Sequence, residues 1–178
     1  MKFCSICGSA VTLKIPHGDD RQRYVCDECN TIHYQNPKII TGCLPVYENK
    51  VLLCKRAIEP RSGLWTLPAG FMENGESMEQ GAARESWEEA RLTLKNHTLY
   101  QVFSLPHISQ VYVFYLSEIA SLDFGPGPES LEVELFTEAE IPWDKLAFPV
   151  VRSTLKDYFA DFPNKEFPIR NSTVTTND

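Results

Sequence analysis

The chain has 178 residues, 43% of them hydrophobic, with a net charge of −7 at pH 7 and a pI near 5.1. That is enough apolar material for one main domain with a real core, and the acidic balance argues against a nucleic-acid surface, which needs a basic patch. No apolar run approaches a membrane span and the start, MKFCSICGSA, lacks the apolar core of a signal peptide, so a cytoplasmic location without membrane contact is expected.

Cysteine spacing is the first feature in chain order. Cys4-x2-Cys7 and Cys26-x2-Cys29, 18 residues apart, have the spacing of a zinc ribbon. Disulfides are the alternative, disfavoured in a reducing compartment. Four thiolates close a tetrahedron, so the Zn2+ is expected to be structural, contributing on the order of 10–16 kcal/mol to a module with almost no core. His17 and His33 are substitute ligands in principle, but with four cysteines present they read as loop and surface histidines. Lys14, Arg21 and Arg23 are balanced by Asp19, Asp20, Asp27 and Glu28, which leaves the ribbon without a basic face. The ribbon is assigned to residues 1–36, and Pro37 marks the junction with the main domain, 37–164.

Residues 39–47 (IITGCLPVY) and 51–56 (VLLCKR) read as strands joined by a hairpin-like turn at ENK, with Cys43 and Cys54 as small buried hydrophobes. AIEPRSGLWTLPAG then runs as a loop and short strand, placed to face a substrate. From Ser77 the chain is free of proline and rich in helix formers. At 100° per residue Ala83, Trp87, Ala90 and Leu94 share one stripe and Glu85, Glu88 and Glu89 the opposite side, which predicts an apolar back and an acidic front. A solvated charge run is the ordinary explanation. Against it stand the like-charge i,i+4 pair Glu85/Glu89, about 0.2–0.5 kcal/mol, and the helix macrodipole, roughly 0.3–1 kcal/mol for each carboxylate near the C-terminus. A hard divalent cation such as Mg2+, or Mn2+ in its place, removes both penalties and draws a phosphate-bearing substrate. Further strands are expected at 99–104, 110–117 and 131–136, with a loop at FGPGPES and a helix after Pro149. Residues 165–178 read as a polar C-terminal tail, ordered only if a neighbouring chain holds it.

The stretch from Gly70 to Leu92 reproduces the motif G-x5-E-x7-R-E-U-x-E-E-x-G-U, with U aliphatic, at every charged position and at the first glycine. Ser86 replaces an aliphatic residue and Arg91 the second glycine, which would supply a left-handed cap; the helix end is therefore expected to be built differently. With this motif and the ribbon, the chain resembles the Nudix hydrolases along nearly its whole length. Within them it is similar to FAD and ADP-ribose pyrophosphatases, through YQNPK, VLLCKR, GLWTLPAG, PGPESLE and LAF. The resemblance implies an α/β/α sandwich around a mixed sheet, metal-dependent cleavage of a nucleoside diphosphate linked to another group, and a homodimer. It further implies Glu85, Glu88, Glu89 and the Gly70 carbonyl as metal ligands, Arg84 as the arginine that orients them and Glu76 as a structural glutamate. Glu132 is the candidate base, with Glu129 as rival, and Arg56 a candidate phosphate contact. Trp65 and Phe71, with Tyr34 and Phe103 behind them, are candidate stacking partners for adenine. NADH pyrophosphatases of the family carry an SQPWPFP-type segment where this chain has LYQVFSLPHISQVYVFY, which favours FAD or ADP-ribose over NADH. A non-catalytic metabolite sensor or a nucleic-acid-binding ribbon is the alternative of another class; eroded glutamates would signal the first, and basic ribbon residues the second.

Overall fold

The computed structural model describes residues 1–175, which form two compact units, Met1–Pro37 and Lys38 onward. In the first, β1 (Val11–Lys14), β2 (Arg23–Cys26) and β3 (Ile32–His33) make an antiparallel sheet in the order β1-β2-β3. Its buried hydrophobics are Cys4, Val25 and Cys26 alone, far too few to fold some 35 residues by burial. The boundary falls one residue past the expected one.

The second unit is built on one mixed sheet. Its strands are β4 (Lys38–Tyr47), β5 (Lys50–Arg56), β6 (Trp65–Thr66), β7 (Ala69–Phe71), β8 (Leu94–Leu105), β9 (Gln110–Ile119), β10 (Ser130–Phe136) and β11 (Arg170–Thr173). The order is β10-β5-β4-β9-β8-β11, with β4/β9 and β8/β11 parallel. β4 and β5 pair only at the hairpin, through Val46↔Val51 and Tyr47↔Lys50. Beyond it they splay apart, and the wedge is filled by β6 on β5 and β7 on β4. That wedge places Gly70 opposite Thr41.

Alternation along the strands buries both faces of the sheet. Leu44, Val51, Leu53 and Phe114 join Val150, Val151, Leu155 and Tyr158 of helix α2 (Pro149–Asp161) in one core. Their neighbours Cys43, Leu52, Cys54 and Val113 pack on the other face, against Ala82 and Ala90 of helix α1 (Met78–Ala90). The result is the expected α/β/α sandwich.

Helix α1 is rotated from the predicted stripe. Its buried residues are Gly81, Ala82, Glu85, Ser86, Glu89 and Ala90, while Trp87 is 52% exposed. The cause is close approach to the sheet: a Cβ on Gly81 would stand 2.7 Å from Thr41 Cγ2, and Cys43 Sγ lies 3.5 Å from the Ala82 carbonyl, so only small side chains fit. Ser86 fits because its hydroxyl donates to the Ala82 carbonyl at 2.8 Å. The helix starts on a capping box, with Gln80 N–H donating to Ser77 Oγ at 3.1 Å and Ser77 N–H to Gln80 Oε1 at 2.8 Å.

The C-terminal segment is part of the sheet. Arg170–Thr173 runs parallel to β8, and Val174 is buried in the α2-side core. The Arg170 guanidinium holds both Asp161 carboxylate oxygens, at 2.6 and 2.7 Å, and Tyr100 Oη donates to Asp161 at 2.7 Å. The expected tail is thus an edge strand clamped by its own chain; residues 176–178 lie outside the described residues. No described helix is long and apolar enough to cross a membrane.

Candidate active site and zinc ribbon

The four cysteines of the first unit converge. Cys4 Sγ is 3.6 Å from Cys29 Sγ, Cys7 Sγ is 3.5 Å from Cys26 Sγ, and all four sulfurs lie within 4.8 Å of one another. A tetrahedron with Zn–S near 2.3 Å has sulfurs about 3.8 Å apart, so the donor set fits zinc. His33 is buried beside the cluster as a hydrogen-bond partner, Nε2 lying 3.3 Å from Cys4 Sγ, and the Ile6 amide donates to the same sulfur at 3.4 Å. Such contacts orient a thiolate and spread its charge.

In the second unit the splayed end of β4 and β5, the face of α1 and the start of α2 enclose a cavity of about 1050 Å3. Gly70, Arg84, Glu85, Glu88 and Glu89 line it together. Glu85 and Glu89 are 9% and 7% exposed, an unusual depth for carboxylates. Burial, followed by repulsion from Glu85, pushes Glu89 up to about 8. Burial also raises Glu85, opposed by its bond to Arg84. Arg84 joins the acidic group: Nη1 donates to Glu85 at 2.8 Å and to Glu88 at 3.1 Å, while Nε and Nη2 grip Glu76 at 3.0 and 2.8 Å. That grip, with the Glu73 amide, draws Glu76 down to about 2.

Gly70 leaves room for the Glu85 carboxylate where it stands. A Cβ there would fall 2.3–2.4 Å from the Glu85 carboxylate atoms. The glutamates are not drawn into one coordination sphere: among the described residues only the cysteines bring three or more such donor atoms within 4.8 Å. Arg84 accounts for this by holding Glu85 and Glu88, while Glu89 has no described cationic group within 4.0 Å. Hard oxygen donors buried at raised proton affinity fit a hard dication, which would replace the proton as the neutralising charge.

The loop at 124–129 closes the helix end. The Gly125 amide donates to the Ala90 carbonyl at 3.1 Å and that of Gly127 to the Glu89 carbonyl at 2.9 Å. A Cβ on Gly127 would meet the Glu88 carbonyl oxygen at 1.7 Å. The cap expected to differ is kept, with arginine in the glycine's conformation: Arg91 has φ 54° and ψ 27°, its amide donates to Trp87 O at 2.8 Å, and Leu92 N–H to Ser86 O at 3.3 Å. Left-handed backbone costs a non-glycine residue roughly 1–2 kcal/mol.

Four predicted site residues lie elsewhere: Glu132, Trp65, Phe103 and Tyr34. Glu132 does not line the cavity; it faces Lys55 across the β5/β10 pair and accepts from Lys55 Nζ at 2.7 Å. Glu129, at the end of the helix-closing loop, does line it. Trp65 is 6% exposed and packs edge-on to Phe136 at 5.0 Å, so its indole fills the core. Phe103 is likewise buried, and Tyr34 belongs to the ribbon with Arg23 over its ring at 5.0 Å. Phe71 lines the cavity half-exposed with Lys38 Nζ 5.0 Å from its ring, and Arg56 lines it with its guanidinium 5.3 Å from the Phe148 ring. Tyr112, Phe148 and Arg61 are cavity residues the sequence reading did not name, although each lies in a stretch it quoted: Arg61 in the loop AIEPRSGLWTLPAG, Tyr112 in LYQVFSLPHISQVYVFY and Phe148 in LAF.

Residues 2–35 match the family described as Nudix N-terminal, a zinc ribbon, and residues 37–158 match the NUDIX domain. The chain belongs to the Nudix hydrolase family. A NUDIX hydrolase from Nitrosomonas europaea superposes on this Nudix chain with a TM-score of 0.96 at 55% identity, covering 99% of this chain and 100% of that one. The NAD-capped RNA hydrolase NudC of Photobacterium profundum is 31% identical over 144 residues, 79% of this chain and 51% of the relative. The chain thus spans about half the length of that relative, and 60% of NudC from Edwardsiella ictaluri. The ADP-ribose pyrophosphatase of Methanocaldococcus jannaschii is 31% identical over 131 residues, 70% of this chain and 75% of the relative.

Proposed function

We propose that this Nudix chain hydrolyses the diphosphate of an AMP unit linked to a second group, with ADP-ribose or FAD as substrate and AMP plus ribose 5-phosphate or FMN as products. The observation that carries this reading is the buried pair Glu85 and Glu89 at one end of a cavity whose other walls include Phe71, Tyr112 and Phe148. The lining runs from Gly70 beside β4 over Tyr112 of β9 and Leu105 of β8 to Val174. Three strand spacings amount to about 14 Å, room for an extended dinucleotide. Mg2+ or Mn2+ held by Glu85, Glu88, Glu89 and the Gly70 carbonyl would offset charge on the diphosphate and acidify a water. Arg84 keeps Glu85 and Glu88 oriented, and Arg56 supplies a cation facing the phosphates. Glu129 takes the water's proton in this reading, since it reaches the cavity and Glu132 does not.

A second reading comes from the relatives named NAD-capped RNA hydrolases, which would put the same diphosphate at an RNA terminus. The absence of an SQPWPFP-type segment and the acidic charge weigh against it. Turnover of ADP-ribose, FAD, NADH, an NAD-capped oligoribonucleotide and nucleoside triphosphates with Mg2+, followed by chromatography of the products, separates the readings. ADP-ribose or FAD is expected to lead NADH in kcat/KM. One or two aromatic stacks contribute only about 0.5–1.5 kcal/mol each, so FAD and ADP-ribose are expected within roughly tenfold of each other. Preference for NADH, capped RNA or a triphosphate releasing pyrophosphate would overturn the substrate assignment. A homodimer belongs to the same proposal and is checked by light scattering.

A further inference from the structure

We infer that Arg91, which stands where the motif has its second glycine, is a substrate-binding arginine that contacts the diphosphate at the rim of the cavity; this rests on the proposed diphosphate substrate. The backbone gives no reason for an arginine here. The position is left-handed, glycine satisfies it without strain, and both cap hydrogen bonds are made by main-chain amides that any residue provides. A cation at a helix C-terminus does favour the macrodipole, but that benefit is available anywhere in the last turn, where backbone strain is not required.

The side chain supplies the reason. Arg91 lines the cavity at the end that holds Glu88, Glu89 and Glu129. Its guanidinium lies 5.5 Å from the ring of Trp87, one turn back on the helix. Trp87 is itself 52% exposed, a large aromatic that the core does not use. Stacking holds the planar guanidinium over the indole while leaving its edge donors outward. No carboxylate of the described residues lies within 4.0 Å of Arg91, although the chain carries a net charge of −7. Arg84, on the same helix, is by contrast engaged with three glutamates. Arg56 and Arg61, the other arginines of the cavity wall, are likewise without a carboxylate at that distance. Three arginines without a carboxylate partner around one cavity, Arg56 giving only its Nε to the Pro60 carbonyl at 2.9 Å, beside an acidic end, are the complement of a polyanion.

The test compares wild type, Arg91→Gly and Arg91→Lys in kinetics with ADP-ribose and FAD at two salt concentrations, together with thermal melting. Arg91→Gly restores the motif residue and is expected to melt at the same temperature or higher while KM rises about tenfold and kcat changes far less. Arg91→Lys keeps the charge but not the fork, and is expected between the two. The salt dependence of KM should weaken in Arg91→Gly. A KM within twofold of wild type for both substrates in Arg91→Gly would overturn the assignment and leave Arg91 a cap residue. Should wild type cleave neither substrate, the functional reading fails separately, and calorimetric binding of ADP with Mg2+ decides on the arginine. Weaker binding by Arg91→Gly supports the contact; equal binding, or none by either protein, overturns it.

Discussion

Gly70 and Glu85 are in such close contact that the carboxylate's position is set by the absence of one carbon. Gly70→Ala is expected to push Glu85 aside, lowering turnover at least tenfold while the melting temperature drops by only a few degrees, because the displaced group is the end of a flexible side chain. Activity within twofold of wild type would show that the Glu85 position is not used. Glu88→Gln and Glu89→Gln should each lower turnover by orders of magnitude. Their effects on stability should differ in chelating buffer: Glu89 is 7% exposed and gains from losing its charge, whereas Glu88, with about half its side chain in water, should be nearly neutral. Two variants of near wild-type activity would remove the metal from this helix. At this scale fixed spacing in the sequence leads to residues that the structure brings together, Gly70, Arg84 and the three glutamates on the cavity wall with Glu76 bonded to Arg84. It did not identify which side chains turn inward on a strand or loop. Glu132 and Glu129 are three positions apart on either side of the irregular pairing between Ser130 and Glu132, so register, which only the partner strand sets, decides between them. Aromatic type alone marks Trp65 as a candidate, and type does not distinguish a stacking ring from a core ring.

Helix α1 shows the same limit at the next scale. Size and hydrophobicity predict an apolar stripe through Trp87, yet the sheet approaches too closely for that side chain and selects Gly81, Ala82 and Ser86 instead. The hairpin of β4 and β5 was readable because both strands are apolar runs around a polar turn. β11 was not, because Arg-Asn-Ser-Thr has no apolar alternation and is held by its pairing with β8 and by the Arg170–Asp161 clamp. The loop before α1 is fastened to the helix by Glu76, whose two oxygens face Arg84. Because Glu76 is held below its unfolded value, at about 2, its contribution is fully present above the unfolded carboxylate range near 4.3 and is lost as pH falls toward 2. Glu76→Gln should therefore lower the melting temperature at pH 6 and bring the two proteins together near pH 2. A difference that persists undiminished at pH 2 would show that the pair is not its source.

The whole molecule consists of two units that call for different physics: Met1–Pro37 has almost no core and a four-cysteine cluster that fits zinc, whereas the unit from Lys38 onward rests on hydrophobic burial. Cys26→Ser is expected to release zinc and remove amide protection throughout residues 1–37, while the second unit keeps its own unfolding transition. Purified wild-type protein that contains no zinc, with Cys4, Cys7, Cys26 and Cys29 as free thiols, would refute the ribbon assignment. The parallel pairing of β11 with β8 also governs the order of events during synthesis. β8 leaves the ribosome well before its partner, and at ~5–20 residues per second the intervening stretch of about 70 residues takes roughly 4–14 s to make. Through that interval the outer edge of β8, with Tyr100, Val102 and Phe103 along it, has no strand beside it and offers a template to any other nascent chain. Chains broken off before Arg170 would keep that edge permanently, so translation that stalls late should yield aggregates rather than soluble, slightly shortened enzyme.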